Sequence, residues 1–194
     1  MFIELTEAQK VNPTATQSDI DALEEMVRAI SNNGFELPAT RRHFVGMGLA
    51  FGADSITMPN LNGQPLQGST DFLRFIREKD SVEVYGTGIN DGVYEVKQIS
   101  GATITFRMPD QMPEFVAGAF DTSLVKVSYP INVLRGALQL LKYDATVGSK
   151  IGIKQETMGR YSTTYFDMTA AESQAGYPKS LIDFLHPYRK IKFD

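Results

Sequence analysis

Pro130-Ile131-Asn132-Val133-Leu134-Arg135-Gly136-Ala137-Leu138-Gln139-Leu140-Leu141-Lys142-Tyr143-Asp144-Ala145-Thr146-Val147-Gly148 carries a legible helical signal. Ile131, Leu134, Leu138 and Leu141 fall at i, i+3, i+7 and i+10, one stripe of a helix turning every 3.6 residues. Pro130 suits the first helical position, where its missing N–H would be unpaired anyway, and Gly148 supplies a stop. The spacing predicts a helix over 130–147. Ile20, Leu23, Val27 and Ile30 repeat the same spacing and predict a second helix over 17–33. Thr16 to Ser18 offers its start. Asn32-Asn33-Gly34 offers its stop, because Asn and Gly accept the left-handed conformation that closes a helix. Nearer the N-terminus, Thr6-Glu7-Ala8-Gln9 has the form of a capping box. Two stripes of identical spacing can pack on each other.

Between these helices the texture changes to short β-branched or alternating runs separated by Gly, Asn, Asp and Pro. The runs are Ser55–Met58, Val82–Tyr85, Val93–Val96, Thr103–Phe106 and Leu124–Val127. They predict a small β-barrel or sandwich. Gly88-Ile89-Asn90-Asp91-Gly92 is read as a tight hairpin connection between two of them. Asn60-Leu61-Asn62-Gly63-Gln64-Pro65 and Met108-Pro109-Asp110-Gln111-Met112-Pro113 are read as exposed loops. The expected class is therefore α+β: a helical core from residues 1–43 and 129–194, with a β module inserted at 44–128.

The chain has 194 residues, long enough for one well-packed domain carrying an insertion. Hydrophobic residues at 42% and charged residues at 22% place it among globular chains, not disordered or rod-like ones. No apolar run approaches a bilayer-spanning length, and Met1-Phe2-Ile3-Glu4 lacks the basic start of a secretory signal. A soluble protein made in a cytoplasm, with no membrane partner, is expected. Cys is absent and only His43 and His186 are present, which excludes thiolate metal sites, disulfides and Cys nucleophiles. With 19 basic against 23 acidic residues the net charge is -4, which argues against a DNA-reading domain with a broad basic face. A mildly acidic conduit would still let DNA pass.

Little in the sequence calls for catalysis. Gly86-Thr87-Gly88 with Gly92 superficially resembles a phosphate loop, but it leads into another strand where such a loop must open a helix. Gly148-Ser149-Lys150 lacks the spacing of a P-loop. Asp71, Asp80, Glu83, Asp91 and Glu95 could serve as acids or bases, yet no local pattern pairs two of them. Ser123 and Ser180 lack a nucleophile-elbow context, and neither His lies in a nucleophile motif; His186, before Pro187, can cap helix carbonyls. No catalytic residue, cofactor or metal is expected.

Ile151 to Tyr165 is polar, rich in Thr and Tyr, and longer than an idle loop in a compact domain. It reads as an extended arm that orders against another chain, or as a hairpin folded back on its own domain. Within it, Ile153-Lys154-Gln155-Glu156-Thr157-Met158-Gly159-Arg160-Tyr161-Ser162-Thr163-Thr164-Tyr165 resembles the Ile/Val-Lys-x-Glu-x-x-Gly-x-Tyr-Ser-x-x-Tyr segment of the head-tail connector proteins of tailed bacteriophages, also called head-completion or adaptor proteins. The ending is similar too: Gly176-Tyr177-Pro178, a short helix through Leu181, Ile182 and Leu185, then Pro187-Tyr188-Arg189-Lys190. The resemblance covers the start and end of the chain, and only the tail is specific.

The resemblance implies a structural virion protein of the phage neck, made in the host cytoplasm. Its helical connector core would assemble into a homo-oligomeric ring, commonly dodecameric, beneath the phage portal protein. DNA would pass through the lumen without sequence-specific binding, and a tail-side neck or tail-completion protein would dock below. Carried over by position, Glu156, Gly159, Tyr161, Ser162 and Tyr165 are ring-contact candidates. Tyr177, Pro178, Leu185, Tyr188 and Arg189 are portal-contact candidates. The β module departs from the compact members of the family, which have further helices in the middle. The residues alone leave two other readings open. One is a β-module protein that binds a polymer or host ligand through the loops at 60–67 and 108–113. The other is a hydrolase with dispersed carboxylates.

Overall fold

The structure, a computed structural model, describes residues 2–44, 49–61, 64–65, 71–108, 114–117, 121–147, 155–158, 161–164 and 173–191. The fold is α+β. The chain divides into two compact units, one of residues 1–2 and 34–128, the other of 3–33 and 129–194.

The first unit is built on strands β1 (Arg42–Phe44), β2 (Ala50–Phe51), β3 (Ser55–Thr57), β4 (Asn60–Leu61), β5 (Gln64–Pro65), β6 (Ser81–Tyr85), β7 (Gly92–Ser100), β8 (Thr103–Arg107) and β9 (Thr122–Val127). Seven of these form one antiparallel sheet in the order β1-β9-β6-β7-β8-β3-β2. Each predicted run lies in one of its strands except for Met58, just past β3, and the period-two pattern sends Val82 and Val84, Tyr94 and Val96, and Ile104 and Phe106 into one core.

The expected barrel is not formed. The sheet is open, with β1 and β2 as its edges, and these are only three and two residues long. Side chains from outside the strands supply what closing strands would otherwise bury: Leu49, Met58, Phe72, Ile76 and Phe115 all join the core. Phe115 is the aromatic hub, meeting Phe51, Tyr94 and Phe106 edge-on with centroids 5.6, 4.9 and 5.9 Å away. Within the stretch read as a loop, Asn60–Leu61 and Gln64–Pro65 instead pair antiparallel as β4 and β5, and residues 62–63 lie outside the described residues. Of Met108 to Pro113, only Met108 is described, and it packs against the core.

The second unit contains α1 (Leu5–Val11), α2 (Gln17–Ser31), α3 (Ile131–Val147), β10 (Gln155–Met158), β11 (Tyr161–Thr164), β12 (Ser173–Gln174), β13 (Tyr177–Pro178) and α4 (Lys179–Ile182), the last running into a 3-10 turn over Asp183–Tyr188. Thr16 caps α2 in a reciprocal box with Asp19: the Asp19 N–H donates to Thr16 Oγ1 at 3.3 Å and the Thr16 N–H to Asp19 Oδ2 at 2.8 Å. Asn32 ends the helix at φ 47°. α1 differs from expectation, because Glu4 is its N-cap and Thr6 lies inside the helix. Pro130 likewise stands just outside α3, its carbonyl accepting from the Leu134 N–H.

α2 buries Ile20, Leu23 and Val27, as its spacing implies. α3 is rotated from the expected stripe: Ile131 is 62% exposed, and the buried residues are Val133, Ala137, Leu140 and Leu141. This helix is apolar on more than one side, so periodicity alone offered two faces. Gly136 helps to choose between them. A Cβ there would overlap the Phe184 ring, so the glycine is a notch for an aromatic from the C-terminal segment.

Candidate functional site

The sequence motif between α3 and the C-terminus folds locally as a β-hairpin. β10 and β11 pair antiparallel with Glu156 opposite Thr163, Thr157 opposite Ser162 and Met158 opposite Tyr161. The hairpin is a two-stranded sheet of its own and joins no third strand among the described residues. Gly159 and Tyr165, the other two ring-contact candidates, lie outside the described residues.

The portal-contact candidates fall at the end of the helical unit. The Tyr177 hydroxyl donates to Asp144 Oδ2 on α3 at 2.7 Å, and its ring is 5.9 Å from that of Tyr143. Burial raises the Asp144 pKa, the Tyr177 hydrogen bond opposes that rise, and the nearby Asp19 carboxylate adds to it. Burial, helped by Asp144, pushes the Tyr177 phenol up as well. Pro178 and Leu185 are buried, Tyr188 is half-buried and Arg189 is exposed, with Nη2 donating to Gln174 Oε1 at 3.2 Å.

Main-chain atoms anchor this C-terminal segment to the end of α2. The Lys190 N–H donates to the Ser31 carbonyl at 2.9 Å. Asn33 Nδ2 donates to the Tyr188 carbonyl at 2.9 Å and Asn32 Nδ2 to the Lys190 carbonyl at 3.2 Å. The two asparagines read as a helix stop therefore also hold the chain's far end. Beside them, the Tyr129 hydroxyl donates to Glu24 Oε1 at 2.6 Å. Burial raises the Glu24 pKa, against the pull of that hydrogen bond and of Arg28.

In the β unit four of the five candidate carboxylates, Asp71, Asp80, Asp91 and Glu95, are engaged. Asp71 pairs with Arg74 at 3.5 Å, Asp80 with Lys126 at 2.6 Å and Glu95 with Arg107 at 3.0 Å. Asp91 fills the Gly-rich loop at 86–91. It accepts from the N–H groups of Gly86, Thr87 and Gly88 at 3.3, 2.8 and 3.1 Å, and from the Thr87 hydroxyl at 2.6 Å. Burial works against the Asp91 charge, yet these donors outweigh it and lower the pKa. The loop that superficially resembled a phosphate cradle thus holds the chain's own carboxylate. Gly86 and Gly88 supply the positive φ angles there, at 96° and 71°. Asn90, 3% exposed, ties this loop to the next: its side chain donates to the Val116 carbonyl at 3.1 Å and accepts from the Val116 N–H at 2.9 Å.

One pairing was invisible in the sequence. His43 Nδ1 lies 2.6 Å from Ser123 Oγ, because β1 and β9 bring these residues opposite each other from 80 positions apart. A Ser-His nucleophile needs a third group that orients the imidazole, and among the described residues no carboxylate bonds to His43. Ser180 and His186 are exposed and do not form a similar pair among the described residues. No cluster of three or more potential metal ligands occurs among the described residues, and no described helix is long and apolar enough to cross a membrane. No protein-family model matches the chain, and no curated protein matches it at a significant level.

Proposed function

We propose that this chain is a structural ring subunit of a tailed-phage neck, an adaptor between the portal of the head and the tail, and not an enzyme. The observation that carries the reading is the hairpin of β10 and β11, which coincides with the connector-like motif and joins no third strand among the described residues. A lone two-stranded hairpin is at best marginally stable in water, so it gains order by lying on another surface. In a closed ring, head-to-tail contacts offer each copy such a surface on its neighbour. Tyr161 is suited to that contact, since Tyr combines a broad apolar ring with a polar tip. The C-terminal segment, held to α2 through its main chain, presents Tyr177, Tyr188 and Arg189 towards the portal. The β unit is then an added module on the helical connector core. The engaged carboxylates of that unit, and a Ser-His pair with no orienting acid, support a structural reading over a catalytic one.

Light scattering and negative-stain microscopy of the full chain, alone and mixed with portal, test this. Closed rings are expected from the wild type. Tyr161→Ala is expected to keep its far-ultraviolet circular dichroism and lose the rings. Rings formed by Tyr161→Ala at wild-type yield, or a wild type that stays monomeric beside portal, would overturn the proposal.

A further inference from the structure

Asp71-Phe72-Leu73-Arg74-Phe75-Ile76-Arg77-Glu78-Lys79-Asp80 joins the β4–β5 region to β6. A 3-10 turn over Asp71–Arg74 sends Phe72 and Ile76 into the core, both fully buried. The same turn leaves Phe75 41% exposed, between the exposed side chains of Arg74 and Arg77. From β1, the Arg42 guanidinium lies over the Phe75 ring, 5.3 Å from its centroid. Lys126 on β9 adds its ammonium, donating to the Phe75 carbonyl at 3.2 Å and to Asp80 at 2.6 Å.

The charges in this cluster are not equally neutralised. Arg74 faces Asp71, and Lys126 faces Asp80. Arg42 Nη1 instead donates to the carbonyls of Ala39 and Arg41, at 3.4 and 2.7 Å. Arg77 Nη1 donates to those of Arg74 and Ile76, at 3.1 and 2.7 Å. Among the described residues neither guanidinium meets a carboxylate. Each is therefore positioned through one nitrogen by neutral acceptors, Arg42 half-buried and Arg77 exposed, while the Asp80 carboxylate that Lys126 pairs also accepts from the Arg77 backbone N–H at 2.7 Å.

We propose that Arg42, Phe75 and Arg77 form a contact site for the phosphodiester backbone of single-stranded nucleic acid. A guanidinium fork matches phosphate oxygens, and a stacked guanidinium is weakly hydrated, so it loses little on contact. Arg42 lies over the Phe75 ring, and an exposed aromatic ring beside guanidinium groups lets a base stack while its phosphates are held. The acidic net charge of the whole chain does not oppose this, because screening confines charge effects to about 10 Å at moderate salt. The site is independent of the ring proposal and reads no base sequence.

Fluorescence anisotropy of a labelled single-stranded oligonucleotide with the full chain, over a range of salt, tests the site. Two phosphate contacts give a slope of log affinity against log salt of roughly -1.4. Arg42→Glu and Arg77→Glu are each expected to weaken binding about tenfold or more and to make the slope shallower by about 0.7 for each phosphate no longer held. Phe75→Ala, which keeps every charge, is expected to weaken single-strand binding while leaving the slope unchanged, and it serves if a charge reversal disturbs folding. Arg135→Glu on α3 is the charge-matched control and should bind as wild type. No binding at low salt would overturn the proposal, as would equal weakening in Arg135→Glu. Equal affinity for the matching duplex, or competition by polyglutamate as effective as by the oligonucleotide, would also overturn it.

Discussion

The two units satisfy their polar groups in different ways. In the β unit the sheet places partners opposite one another: Glu95 meets Arg107 across the β7–β8 pair, His43 meets Ser123 across β1–β9, and the Asp91 loop fills itself. The helical unit relies on main-chain capture of a distant segment and on side chains buried at some electrostatic cost, namely Glu24 and Asp144. It also carries the hairpin that has no third strand among the described residues. The contrast teaches where to look for assembly. Strands within a seven-stranded sheet order one another, whereas a hairpin without a sheet needs a partner for order.

Changes in each unit can sharpen or break that contrast. Phe115→Ala removes the hub of four aromatic rings and is expected to cost about 3–5 kcal/mol. Amide exchange should accelerate across β6, β7 and β8, and unchanged exchange there would show that the loop-borne ring does not hold this core. Gly136→Ala is expected to cost about 1–3 kcal/mol, because the added methyl overlaps Phe184. In a Phe184→Ala background the same change should become neutral or favourable, since Ala is the better helix former by about 1 kcal/mol. Denaturant titrations of the four species would read that coupling directly.

Smaller effects test the electrostatics. Asp91→Ala leaves three loop N–H groups without their acceptor and is expected to cost about 1 kcal/mol in thermal unfolding. Asp91 has a lowered folded pKa, so its contribution is present above the ordinary carboxylate pKa and fades as pH falls through the folded value. Wild type and variant should therefore converge in acid. Glu24 behaves oppositely. Its folded pKa is raised, so its contribution is largest below 4.5, the unfolded value, and is lost as pH rises through the folded one. Glu24→Gln should remove that dependence while keeping an acceptor for Tyr129, and a stability-pH curve parallel to wild type would contradict this.

What the sequence shows of this fold depends on how local the deciding physics is. α2 is legible from end to end because Thr16, the Ile20–Val27 stripe and Asn32 all act within a few residues. The face of α3 is not, since Phe184 helps to select it from far along the chain. Central strands announce themselves by period two, whereas β1 and β2 are too short to show a period and exist by pairing with β9 and β3. The length and composition of residues 151–165 leave an arm and a hairpin both open, and the antiparallel pairing of β10 with β11 selects the hairpin. The His43–Ser123 pair has no sequence signal, being a product of strand register, and neither has the Arg42–Phe75 stack, which sets a turn residue against β1.

Capture of the last described residues by the end of α2 has a temporal consequence. Asn32 bonds to a carbonyl 158 residues ahead, so the contact cannot exist until Lys190 has been made. At roughly 5–20 residues per second, a ribosome needs about 8–30 s to get from one side of that contact to the other. Residues 34–128 are contiguous and can collapse into their sheet while synthesis continues. The helical unit joins residues 3–33 to residues 129–194, so it completes itself only after the sheet's residues have been made.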